Sequence, residues 1–392
     1  FQKDIRQEFS VRRLDRTRIP ALNMELTSHL WELFWESIGN SHWKTQLGGN
    51  FSYQQNYNQP GTGVVPVIPN FTSVGYGTFI IEKYHSDKWD AEAGLRYDYK
   101  YLNADGYNMY GERYGGEHNF HNLTYSLGGS YQASPSLGIS SNIGIAWRAP
   151  QVNELYSSGL HHGAGTFNLG EASLKPETGA KWITSLKYES KQSGFFLNMD
   201  VYAQVIRNYI YDYPTGETRT LSSGVYPIFQ YTQADAFFRG ADLEISQRIL
   251  RWGANSNTLS YGIRGAVVFA NELKTNRYFP FIPAPRLSHS LEWKVTPKGL
   301  FKHIEASVGH TFVAKQTRFE PSQELVPTTP EAYHLFEASL GGTLSITEHQ
   351  SLSVRVSAEN LLNQLYKEYT NRFRYYAHDL GRNISLRLSY NF

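Results

Sequence analysis

The chain has no cysteine among its 392 residues, so neither a disulfide framework nor a thiolate metal site can hold it together. Methionine is nearly absent too, with three residues. A net charge of +2 and no basic stripe leave no electrostatic footprint for a polynucleotide partner. The first residues, FQKDIRQEFSVRR, contain no apolar h-region of a signal peptide. No run of about 18 consecutive apolar residues occurs, which excludes a transmembrane helix but not a membrane barrel, whose strands are only half apolar. No P-loop, G-x-S-x-G or H-E-x-x-H motif is present, so no enzyme activity is expected.

What the chain has in abundance is aromatic side chains, at 15%, with 28 Tyr, 22 Phe and 8 Trp. Rings with one polar edge suit a surface at a polar/apolar boundary. They fall in a pattern. In Lys88 to Leu102, KWDAEAGLRYDYKYL, one face carries Trp89, Ala91, Ala93, Leu95, Tyr97, Tyr99 and Tyr101, and the other carries Asp90, Glu92, Arg96, Asp98 and Lys100. Alternation of that length predicts a strand longer than those of most globular proteins. The charged face fits a wet lumen and the aromatic face fits lipid.

Similar segments predict about 16 strands, near 4–14, 21–38, 42–57, 70–84, 88–102, 119–133, 137–148, 177–191, 194–212, 228–249, 256–272, 285–296, 301–318, 333–347, 351–366 and 381–392. Short turns then alternate with long connections, such as 103–119, 150–176, 214–227, 273–283 and 319–331. A transmembrane antiparallel β-barrel predicts this asymmetry, with short turns at the periplasmic end and long loops outside the cell. Trp35, Trp43, Trp89 and Trp252 lie beside short turns, as one aromatic girdle requires, and Trp147 and Trp182 suit the other. The fold class expected is therefore all-β, an outer-membrane barrel.

Three stretches carry a family resemblance. IAWRAPQVNELYSSGLHHGAGTFNLGEASLKPETG, residues 145–179, resembles the strand-end RAP, the NEL and the L-x-P-E of TonB-dependent outer-membrane transporters. VSAENLLNQLYKEY, residues 356–369, is similar to their N-L-x-[ND]-x-x-Y, and RYYAHDLGRNISLRLSYNF, residues 374–392, to their closing run. The resemblance implies that Arg148, Glu154, Glu177 and Asn360 are structural motif positions. It also implies that Phe392 is the terminal aromatic read by the barrel-assembly machinery. It further implies a barrel of about 22 strands filled by an N-terminal plug. This chain then corresponds to the last 16 strands, with the plug and first strands outside it.

The function implied is active import of a metal-containing nutrient across the outer membrane of a Gram-negative bacterium. The cargo would be a ferric siderophore, haem, or a transition metal ion such as zinc, with no intrinsic cofactor. The energising TonB-ExbB-ExbD complex would act through the missing N-terminal part, and the wall would contact outer-membrane lipid. The alternative is a passive 16-stranded porin, which predicts open conductance and no high-affinity ligand.

Imidazole is a common ligand of metals and of haem iron. His118, His121, His161, His162 and His378 are the histidines assigned to the expected outer loops, and Tyr107, Tyr110 and Tyr114 share the 103–119 connection with His118. His161 and His162 lie between the RAP-NEL and LKPE elements, in the loop that carries an axial histidine or His-rich metal contacts in receptors resembling this region. These two are the expected metal ligands. The same histidines are equally the polar residues that any exposed loop carries.

Overall fold

The computed structural model describes residues 1–9, 19–37, 42–62, 65–108, 111–161, 163–221, 223–253, 257–297, 299–347 and 349–392. The first seven strands are β1 (Gln2–Glu8), β2 (Leu22–Glu36), β3 (Trp43–Asn58), β4 (Asn70–His85), β5 (Trp89–Tyr107), β6 (Arg113–Ser134) and β7 (Leu137–Arg148). A short helix α1 (Val152–Tyr156) and a small hairpin, β8 (Ser158–His161) and β9 (Thr166–Leu169), follow. The wall resumes with β10 (Glu177–Ser190), β11 (Phe195–Leu221), β12 (Gly224–Trp252), β13 (Asn257–Glu272) and β14 (Arg286–Val295). It ends with β15 (Phe301–Val313), β16 (Tyr333–Ser345), β17 (Ser351–Glu359) and β18 (Asn383–Asn391).

Each wall strand pairs antiparallel with the next, and β7 pairs with β10 across the inserted hairpin. This makes sixteen strands in one continuous sheet. Among the described residues no ladder joins β1 to β18. The β8–β9 hairpin lies outside the wall order, with β9 running parallel to β12 at Ile228–Gln230.

Period-two alternation gives the wall two unlike faces. Across β5, β6 and β7 the partners Leu95 and Tyr125, Tyr97 and Leu123, and Leu127 and Ile143 form an outward band, and Leu127 is 61% exposed. Across β14 to β18 the band continues through Leu291, Val308, Leu340, Val356 and Leu386. Contiguous apolar exposure on this scale is untenable against water, whereas a lipid-facing barrel wall presents just such a band. The opposite face is polar: Arg96 grips Asp98 at 2.8 and 2.9 Å and reaches Asn50 on the third strand at 2.5 Å.

Two expected long connections are not loops. β5 runs on past the apolar band to Tyr107 and β6 resumes at Arg113, and β11 and β12 extend to Leu221 and Gly224. The extensions carry polar residues on both faces, so the amphipathic signal fades there while the ladder continues; Pro214 is accommodated at a register shift before Thr218. β17 stops at Glu359 rather than 366 because Asn360 and Asn363 adopt φ of 45° and 55°. Asn360 fixes that turn by donating to the carbonyls of Gln364 and Leu380 and accepting from the Gln364 amide.

The remaining connections keep the expected asymmetry. Trp43 packs on Tyr84 and Trp89 on Tyr131 at the short-turn end, as a girdle requires. Trp147 does not join the other girdle; its indole donates to Asp98 at 3.2 Å. Among the described residues no helix is long and apolar enough to cross a membrane, which says nothing against a barrel.

Candidate functional site

The deeply buried residues gather at the long-loop end. Here the charged side chains that build the site start from Arg148, the last residue of β7. Gln151 and Glu154 form a capping box around the first turn of α1, which places the Glu154 carboxylate beside the strand end. Arg148 Nη1 donates to Glu154 Oε2 at 2.7 Å, and Nε donates to Glu177 Oε2 at 2.8 Å. Glu177 opens β10, and its Oε1 accepts from the Ile210 amide of β11 at 2.6 Å. One guanidinium thus ties the strand before the loop, the helix inside it and the strand after it.

The histidines separate. His118 and His121 lie within strand β6 rather than on a loop, and residues three apart on a strand face opposite sides. His121 turns outward, bonded to the Tyr97 hydroxyl at 2.8 Å. His118 turns inward, with Nε2 2.5 Å from the Tyr156 hydroxyl and its ring parallel to that of Phe120. The two rings therefore lie on opposite faces of the wall. The apolar band on β6 ends at Leu123, so His118 lies beyond it, where partial burial holds its pKa below the ordinary imidazole value.

Tyr114 packs against a cluster of Leu102, Val152, Leu155 and Tyr156. Burial pushes its pKa up to about 12. A recess of about 380 Å³ opens beside it, lined by Pro60, Pro66, Ile68, Asn70 and Tyr107. Tyr110 and His162 lie outside the described residues.

His161 ends β8 and is exposed; its carbonyl accepts from the amides of Ala164 and Gly165 to close the hairpin turn. His378 is exposed on the 360–382 segment. The two segments meet where the Tyr376 hydroxyl donates to the Gly165 carbonyl at 3.4 Å. Among the described residues no three His, Asp or Glu side chains converge as a preformed metal site.

Sequence reasoning missed the densest polar group at this end. Arg374 and Glu324 form an ion pair with side chains only 2% and 1% exposed. Both Glu324 oxygens also accept hydroxyls, from Tyr369 at 2.5 Å and Tyr375 at 2.7 Å. The guanidinium lies over the rings of Phe281, Tyr369 and Tyr375 at 5.0, 4.3 and 4.5 Å. Alongside it, Arg372 reaches Asp212 of β11 at 2.5 Å. Three loops, 273–285, 314–332 and 360–382, are thereby locked to each other and to the wall. The partners are 50 residues apart, and no local spacing announces them.

The geometry is a set of interlocked loops at the end of a wall with one polar face, with exposed His161 and His378 on those loops. Residues 5–361 match the family model described as "TonB dependent receptor-like, beta-barrel". Among solved structures the chain is similar to a copper transporter, OprC, at 17% identity and a TM-score of 0.73, covering 100% of this chain and 61% of that one. The FrpB iron transporter from Neisseria meningitidis is 15% identical with a TM-score of 0.65, covering 95% of this chain and 56% of that one. The Serratia marcescens hemophore receptor HasR, in complex with hemophore HasA and heme, is 16% identical with a TM-score of 0.64, covering 95% and 60%. The chain thus spans about three fifths of the length of these structures.

Proposed function

We propose, because the chain belongs to the TonB-dependent receptor β-barrel family, that it forms the wall and mouth of an outer-membrane importer for a metal-containing nutrient. The observation that carries this reading is the family match across residues 5–361, on a wall whose loops are locked at one end over a polar face. The similar structures are a copper transporter, an iron transporter and a hemophore receptor in complex with heme, which supports the class. Within it we favour a ferric siderophore or haem, with a transition metal ion such as zinc next.

In this reading the long-loop end faces the outside and captures the cargo, with His161, His162 and His378 as ligating candidates. A plug and further strands outside residues 1–392 would close the barrel and couple it to TonB. The chain would act by binding and passage rather than by chemistry, in keeping with a receptor family.

Uptake by cells tests the proposal. Accumulation of labelled haem, ferric chelate or zinc should require both this protein and an energised inner membrane. Uptake that persists after the proton gradient is collapsed would replace this reading with a passive pore.

A further inference from the structure

β14 stops at Arg286, opposite Ala266, so β13 continues beyond it from 267 to 272 without that neighbour. The segment after β15 fills the space, beginning where the Ala314 amide bonds the Pro285 carbonyl. Phe269 stands on the outward face of this extension, directly paired with Arg239 of β12. The Arg239 guanidinium lies 5.5 Å from the Phe269 ring, and that of Arg318 lies 4.2 Å from it.

Among the described residues neither cation has an acidic partner. Arg239 is exposed, and its guanidinium lies over the rings of Phe237 and Phe269. Arg318 Nε and Nη2 are buried with no acceptor, and burial pulls its pKa down. The nearby acids are engaged elsewhere: Asp235 holds Arg207 at 2.5 Å and the Asn208 amide at 3.0 Å, and Glu320 accepts from the Tyr278 amide at 3.2 Å. Two cations stand around one ring with no carboxylate between them, and the exposed Arg239 guanidinium together with Arg318 Nη1, which is not among the shielded atoms, is what an anion can meet.

Position says where that anion comes from. The outward residues of β13 run Leu259, Tyr261, Ile263, Gly265, Val267 and Phe269. From the first to the last the strand rises about 33 Å, which at ordinary barrel tilt is about 25 Å along the axis, the height of an apolar band. Phe269 therefore stands at the level of the lipid headgroups, with the acyl chains below it.

We propose that Arg239 and Arg318 seat the phosphate of an anionic membrane lipid on the outside of the wall. The inference rests on the membrane placement proposed above, not on the identity of the cargo.

The test uses the full-length protein in detergent, folded as judged by heat-modifiable migration. It is given dioleoyl phosphatidate, dioleoylglycerol with the same chains and no phosphate, or inorganic phosphate. Phosphatidate should be retained in native mass spectra and raise the unfolding midpoint, whereas the other two should do neither. An R239Q/R318Q variant should lose at least tenfold of the phosphatidate affinity while remaining heat-modifiable. Should it not fold, R239Q alone, on an exposed side chain, carries the same comparison.

Equal binding of dioleoylglycerol, or undiminished phosphatidate binding in the variant, overturns the site. Protection by inorganic phosphate overturns the lipid assignment. A protein that takes up neither lipid and does not migrate as a barrel overturns the membrane placement itself.

Discussion

Glu324 and Arg374 meet in a fully buried ion pair that bolts the 314–332 loop to the 360–382 loop. Every charge in the group is answered: the carboxylate takes two tyrosine hydroxyls, and the guanidinium takes the Tyr369 carbonyl and three ring faces. Removing one partner leaves the other charge uncompensated. Glu324→Gln should therefore destabilise the loop assembly by about 3–5 kcal/mol. Limited proteolysis should cut within 314–332 or 360–382 in the variant while the wall stays heat-modifiable. Wild-type protease resistance would show that the pair does not hold the mouth.

The Arg148 hub is shallower, its side chain being about a third exposed. Glu154→Gln removes one of two carboxylates and should cost about 2 kcal/mol locally, the scale of a hydrogen bond to a charged group. Hydrogen exchange should accelerate at α1 and the β8–β9 hairpin, with β6 and β13 unchanged. Uniform acceleration across the wall would mean that the hub supports the whole sheet rather than the loop.

His118 gives the mouth a pH dependence with a definite sign. Burial lowers its pKa, so the folded form holds the proton less tightly than the unfolded chain does. Its contribution is complete above the ordinary imidazole pKa of about 6.5 and is lost as pH falls below that value through the depressed one. Protection factors at α1, which bears Tyr156, should fall on acidification from neutral pH once the slower intrinsic exchange at lower pH is divided out. In His118→Gln that dependence should vanish. An increase in protection on acidification would contradict the assignment.

His121 and His161 make a matched pair for cargo binding. His121 faces outward from the wall beside Tyr97, and His121→Phe should leave the affinity for haem, zinc or a ferric chelate within twofold of wild type. His161→Ala, on the rim, should weaken binding at least tenfold, together with His162→Ala. Equal losses at positions 121 and 161 would indicate unfolding rather than ligation.

How far the sequence spoke depended on where lipid ends. Strands that stay in the apolar band are written as alternation, and β7, expected at 137–148, is found there. Where β5, β6, β11 and β12 rise beyond the band, nothing demands an apolar face, and their extensions read as loops. The same blindness put His118 and His121 on an expected loop, although both lie within β6. The spacing of Arg148, Glu154 and Glu177 was visible because motif and hub lie within one connection. Glu324 sits in a stretch, PSQELVP, that says nothing of Arg374. The lipid-facing cations were silent for the same reason, since Arg239 and Arg318 converge only through the unequal lengths of β13 and β14.

The most direct measurement is an equilibrium titration of the full-length protein, purified from its native membrane, with haem, zinc, copper and ferric chelates in turn. One of these metal-containing ligands should bind saturably at one site with micromolar or tighter affinity. Binding of none of them, with steady ion conductance when the same preparation is placed in a planar bilayer, would contradict that and leave a pore.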